Sequence, residues 1–158
     1  IFNLIVHSNK IDLKIEEANV LDLYSGTGAF GLECLSRAAK RVNFIEQDKN
    51  AVKILKKNIE KLRLEKKTNI FLSDVFKIIK KTKNFNSSFD LIFCDPPFQN
   101  KNIEDLLQSI FDSKLLKKKG IIIVHRNKNS HDNFPEFFKI VDLRSYGVSK
   151  IIFGNFLS

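Results

Sequence analysis

Val20-Leu21-Asp22-Leu23-Tyr24-Ser25-Gly26-Thr27-Gly28-Ala29-Phe30-Gly31 is the stretch that decides the fold. Its first residues form a short apolar run suited to a buried strand. A G-x-G-x-x-G follows, and the pattern then turns helical over Ala29–Ala38. Glycines let the backbone turn sharply and approach a ligand where a Cβ would collide. The start of the helix offers free N–H donors to an anionic or polar group.

Outward from this unit, short β-rich runs alternate with helical ones. Strands are expected at Val20–Tyr24, Val42–Glu46, Asn69–Ser73, Phe89–Cys94, Gly120–His125, Lys139–Leu143 and Lys150–Phe156. Helices are expected at Phe2–His7, Ala29–Ala38, Lys49–Leu62, Val75–Lys81, Ile103–Ser109 and Asp132–Phe137. In Lys49–Leu62, apolar Val52, Leu55, Ile59 and Leu62 recur at helical spacing, opposite a lysine-rich wet face. Alternation with near-continuous apolar strands predicts a parallel sheet covered on both faces. Near the C-terminus the alternation breaks at Arg144-Ser145-Tyr146-Gly147, which reads as the connection of an antiparallel hairpin. The fold class is therefore α/β, a Rossmann-like doubly wound domain over residues 1–158 with a seven-stranded, mostly parallel sheet. Its ligands should lie outside the carboxyl ends of the strands.

Glu46 ends the second strand, where a carboxylate can accept from both hydroxyls of a ribose. Asp74 follows the third strand, either as a helix N-cap or as an acceptor for an adenine amino group. Asp22 reads foremost as an acceptor organising the glycine turn, with direct ligand contact as the alternative. Tyr24, Ser25, Gly26 and Gly28 in the turn, Gln47 beside Glu46 and Val75 beside Asp74 complete the candidate cofactor set. This pattern marks an adenosine-containing ligand without separating a nicotinamide dinucleotide from S-adenosylmethionine.

The fourth strand runs into Asp95-Pro96-Pro97-Phe98. Two prolines after a buried strand forbid helix, remove two N–H donors and hold the carbonyls in a fixed direction. The Asp95 carboxylate and Pro96 carbonyl can then converge as acceptors on an exocyclic amine. The lone pair of such an amine is delocalised into its ring, so orienting it and taking up its developing charge is the chemistry required. Phe98 is suited to stack on the base. The two cysteines, Cys34 and Cys94, show no metal spacing and no disulfide framework, which points to a reducing compartment and to no metal site. No run is long enough to span a bilayer, and no secretory signal opens the chain.

At these residues the chain resembles the class I, Rossmann-like S-adenosylmethionine methyltransferases. Within them it is most similar to the bacterial small-subunit ribosomal RNA guanine-N2 methyltransferases. The match rests on Ile1-Phe2-Asn3, on the glycine stretch continued through Gly31-Leu32-Glu33 and Leu35-Ser36-Arg37, on Phe44-Ile45-Glu46-Gln47-Asp48, on Asp95-Pro96-Pro97-Phe98 and on Arg144-Ser145-Tyr146-Gly147. The resemblance implies S-adenosylmethionine as cofactor, S-adenosylhomocysteine as product, and ribosomal RNA or the small subunit as partner. It also implies that Asp22, Gly26, Gly28, Glu46 and Asp74 shape the cofactor site, while Asp95, Pro96, Pro97 and Phe98 hold the guanine. A monomeric, cytoplasmic enzyme is expected. Two departures stand out. The basic N-terminal hairpin of such enzymes is absent from these residues, and with no methionine in the chain and Ile1 at its start, a piece of a longer product is expected. Where the family tends to place Glu at the end of the fifth strand, this chain has His125, to which no role is assigned.

The formal net charge of +9 suits a polyanionic partner, and a lysine-rich solvated surface accounts for it equally well. Lys80-Lys81, Lys117-Lys118-Lys119, Arg126 and Lys128 are the candidate phosphate contacts, several of them expected near the active edge. Arg144 and Tyr146 are either substrate contacts or hairpin residues. The competing functions are amino methylation of adenine or of protein glutamine, a nicotinamide dehydrogenase, and a binding module that keeps the fold without catalysis.

Overall fold

A computed structural model describes residues 1–157 apart from 82, 84, 86, 100 and 101. The chain runs α1 (Phe2–His7), β1 (Asn19–Leu23), α2 (Ala29–Ser36), β2 (Arg41–Glu46), α3 (Lys49–Leu62), β3 (Thr68–Leu72), α4 (Val75–Ile79), β4 (Phe89–Cys94), α5 (Ile103–Asp112), β5 (Leu116–Asn127), β6 (Phe138–Tyr146) and β7 (Ser149–Phe156), with a short 3₁₀ turn at Glu65–Lys67. The sheet order is β3-β2-β1-β4-β5-β7-β6. Strands β1 to β5 are parallel, and β7 pairs antiparallel with both β5 and β6. The order reverses beside β1, between β1 and β4. That switch point opens a crevice at the carboxyl edge.

Period-two alternation divides the core. Val20, Phe44, Leu91, Phe93, Ile121 and Ile123 face one layer with Ile5 of α1, Phe30 and Cys34 of α2, and Leu55 and Ile59 of α3. Leu21, Leu23, Ile92, Cys94, Ile122 and Val124 face the other, against Ile78 and Ile79 of α4 and Leu106 and Ile110 of α5. The central strands are buried on both sides, which is why they read as unbroken apolar runs. Gly31 belongs to this packing: a Cβ there would meet the Phe44 ring at 2.4 Å and Val42 at 2.8 Å.

Several boundaries differ from the sequence reading. Asp132–Phe137 is not a helix; it has no regular structure through Pro135 and then turns at Glu136 and Phe137. Pro135 has no N–H for a helical ladder and biases Phe134 toward extended backbone, and Asp132 is drawn inward by Arg126. The hairpin connection is Gly147-Val148, because β6 continues through Arg144, Ser145 and Tyr146 in register with β7. Gly147 takes φ +55, the backbone that a tight two-residue hairpin loop demands at its first position. β5 begins earlier, at Leu116, and its register with β4 jumps between Phe89↔Leu116 and Leu91↔Ile121. Lys117, Lys118 and Lys119 therefore lie within a strand, at the amino edge of the sheet, opposite the crevice. Lys117 there pairs with Asp90 at 2.8 Å. Lys80-Lys81 lie at the far end of α4. Arg126 is 1% exposed, so it offers no surface to a phosphate. Lys128 alone of these candidates is exposed at the crevice edge.

Candidate active site

The glycine turn is built by carboxylates from inside the fold. Asp22 shares the face of Val20, and its Oδ2 accepts from the Gly31 N–H at 3.0 Å. Glu46, at the end of β2, accepts from the Gly26 N–H through Oε2 and from the Asp48 N–H through Oε1, both at 2.8 Å. The Gly28 N–H donates to the Ser25 carbonyl at 2.8 Å. Gly26 and Gly28 have φ +55 and +90. A Cβ on Gly28 would strike Leu55 at 2.3 Å, whereas one on Gly26 would meet nothing within 4 Å. Gly28 is thus a packing glycine, and Gly26 borders open space. Tyr24 also holds positive φ, at 59, although an aromatic residue gains nothing from that conformation. Strain of this kind concentrates at functional sites.

The Asp22 carboxyl is the most perturbed group here. It is 1% exposed, and burial pushes it up to about 8; the Gly31 hydrogen bond opposes this, and the charges of Asp95 and Glu46 add to it. Its Oδ1 is buried without a partner. With a folded value near 8 and an ordinary one of 3.8, the folded state binds the extra proton between those limits. Asp22 therefore contributes most stability below pH 4 and loses it as pH rises through 8. Asp22→Asn should raise the melting temperature more at pH 9 than at pH 5. An equal change at both values would contradict this ionisation.

At the end of β4, Asp95 falls on the same face as Asp22 and Phe93. His125 of β5 falls there too, one step past the Cys94↔Val124 pair. His125 Nδ1 lies 2.8 Å from Asp95 Oδ1, and its Nε2 lies 2.9 Å from Ser149 Oγ. Phe98 meets the His125 ring edge-on, with centroids 5.9 Å apart, and stays 51% exposed. Pro96 is buried and Pro97 exposed. The Pro97 carbonyl accepts from Arg126 Nη1 at 3.4 Å. Arg126 is in turn held by Asp132 at 2.8 Å, and Lys150 reaches Asp132 at 3.6 Å.

Two adjoining cavities share Tyr24, Asp95 and His125. One continues to Glu46, Gln47 and the Pro96-Pro97-Phe98 loop. The other runs along Asp22, Ser25 and the ladder of Phe2 on Phe30 on Phe93. The fold thus brings Asp22, Tyr24, Ser25, Glu46 and Gln47 together with Asp95 to Phe98. Asp74 caps α4, accepting from the Lys77 N–H at 3.0 Å, and Val75 is buried in the core beneath it. Neither lines the two cavities. Sequence reasoning left out His125, although its signal was present: pairing Leu91–Cys94 with Ile121–Val124 makes His125 the next residue opposite Asp95. Cys34 and Cys94 are buried, and burial pushes both thiols up, away from nucleophilic use.

Residues 1–155 match the family described as conserved hypothetical protein 95. The chain belongs to this family. Ribosomal RNA small subunit methyltransferase D of Haemophilus influenzae is 30% identical over 85% of the chain and 69% of its own length. The putative rRNA methyltransferase YlbH of Bacillus subtilis is 29% identical over 68% of the chain, which spans only 59% of that relative. In structure, the putative methyltransferase yhhF from Escherichia coli has a TM-score of 0.84 at 23% identity, covering 99% of this chain and 84% of its own. A putative methyltransferase solved with S-adenosylhomocysteine has a TM-score of 0.75 at 19% identity, covering 94% of this chain and 47% of its own. The expected family and fold class are borne out.

Proposed function

We propose that this chain binds S-adenosylmethionine in the crevice at the carboxyl edge and transfers its methyl group to the exocyclic N2 amine of a guanine in small-subunit ribosomal RNA. We propose further that it acts as a single-domain monomer in the cytoplasm, on RNA or on the small subunit. The observation that carries the cofactor reading is the use of the glycine turn's own amides. Gly26 and Gly31 already donate to Glu46 and Asp22, and Gly28 to Ser25. A dinucleotide needs such amides free for its pyrophosphate. A crevice walled by the carboxylates of Glu46 and Asp95 instead favours a ligand that carries positive charge. The orphaned Asp22 Oδ1 and the open space beside Gly26 fit such a ligand. Glu46 retains lone pairs on both oxygens for ribose hydroxyls.

Bound S-adenosylmethionine would supply an electrophilic methyl on sulfonium sulfur, which an amine lone pair could take as the C–S pair stayed on sulfur and one amine proton passed to water. The chain's part is orientation. Asp95 and the Pro96 carbonyl accept the two N–H groups and aim the lone pair, and Phe98 stacks on the base plane. The names of the rRNA-directed relatives support the substrate class. The motif resemblance favours guanine N2, since adenine- and glutamine-directed relatives usually carry Asn at the Asp95 position.

Glu46→Ala should weaken S-adenosylhomocysteine binding by at least about tenfold, since it removes charge-assisted bonds each contributing about 1.5–3 kcal/mol. Calorimetric titration of the free protein checks this. Unchanged affinity, or tighter binding of NAD, would remove Glu46 from the cofactor site.

A further inference from the structure

We infer that His125 is a positioning residue for methyl transfer, clamping one oxygen of Asp95 so that the other is aimed at the incoming amine. The inference rests on the proposed role of Asp95 as the amine's acceptor. A carboxylate has only acceptors to offer, so the ring nitrogen 2.8 Å from Asp95 Oδ1 is the one that carries the proton. The other, Nε2, is then the acceptor of the Ser149 hydroxyl at 2.9 Å. Ser149 thereby fixes the tautomer, and the Phe98 edge contact fixes the ring plane. The two prolines after Asp95 make the clamp necessary. Pro96 and Pro97 have no N–H to hold its side chain, and that side chain is 42% exposed. An unclamped carboxylate at a strand tip samples several rotamers, and a displacement of about 1 Å can cost about a hundredfold in rate.

The arrangement ties three strands to one acceptor. β4 leads into Asp95, β5 supplies His125 and β7 supplies Ser149. Ile151 lies opposite His125 in the β5–β7 register and Ser149 opposite Asn127, so the closing hairpin reaches the site through Ser149.

Two readouts test this. In the free protein, ring-nitrogen chemical shifts should give His125 as the Nδ1-protonated tautomer, and Ser149→Ala should shift the ring toward the Nε2-protonated form. With unmodified small ribosomal subunits as substrate, His125→Phe should lower kcat about tenfold to a hundredfold while leaving S-adenosylhomocysteine affinity within about twofold. His125→Asn, whose amide can place an N–H near the Nδ1 position, should recover most of that loss. An Nε2-protonated ring in the free protein overturns the inference even if the Phe variant fails to fold. So does a His125→Phe variant of unchanged kcat, or one not rescued by Asn. Asp95→Ala separates the two levels: if it turns over normally, the Asp95 reading itself fails, and if it is silent while His125→Phe is normal, only the clamp fails.

Discussion

Asp95→Ala should lower kcat by about 10²–10³-fold, the usual cost of removing one preorganised group that stabilises developing charge. S-adenosylhomocysteine should still bind within a few-fold of the wild-type affinity, because the glycine turn is held by Asp22 and Glu46 rather than by Asp95. The asymmetry follows from position. Asp95 stands where the two cavities meet, while the acceptors that shape the turn come from β1 and β2. Asp95→Asn should recover part of the rate, since an amide oxygen still accepts one N–H. Steady-state kinetics with small subunits, alongside calorimetry, check both halves. A parallel loss of binding and rate would make Asp95 a structural residue.

The second large effect concerns stability. Arg126→Met should destabilise the chain by about 3–5 kcal/mol, the cost of removing one partner from a buried ion pair. Against a total of about 5–15 kcal/mol, that brings the protein near its limit. The Arg126 and Asp132 side chains are each 2% exposed, and Met leaves the Asp132 carboxylate inside with Ser130 and Lys150. Burial pushes the Asp132 carboxyl up, but hydrogen bonds from Arg126 and Ser130 and the charges of Arg126 and Lys150 outweigh it, so it lies below its ordinary value of 3.8. A depressed carboxyl contributes stability above its unfolded value and loses it as pH falls through the folded one. The wild type should therefore lose stability below about pH 4, and the Met variant should lose less over the same range. Urea unfolding at several pH values checks this; a cost under about 1 kcal/mol at neutral pH would contradict it. Because Arg126 also donates to the Pro97 carbonyl, the same substitution loosens the loop after Asp95.

What could be read from the chain depended on whether a residue's partner was local. Asp22, Glu46 and Asp95 each end or interrupt an apolar strand, so the strand pattern alone puts them on one edge. The G-x-G-x-x-G places its own helix. His125 was legible only after β4 and β5 were set in register, because its partners Asp95 and Ser149 are 30 and 24 residues away in sequence. Asp132 was misread for a related reason. Local propensity allows a helix over Asp132–Phe137, but the buried Arg126 six residues earlier and Pro135 decide against one. The lysines of 117–119 read as candidate phosphate contacts because their charge is the only local signal. The jump in β5 register, which carries them to the amino edge, has no local signature. Asp74 kept two readings until its N-cap bond to Lys77 appeared, and that bond leaves its second oxygen open to other partners.

The destination of the methyl group is the decisive quantity. Incubating the full chain with S-adenosylmethionine and unmodified small ribosomal subunits, then mapping modified nucleotides by mass, tests it directly. The expected result is a single added methyl on the N2 amine of one guanine, lost with Asp95→Ala. Methylation confined to adenine, to DNA or to protein would contradict it.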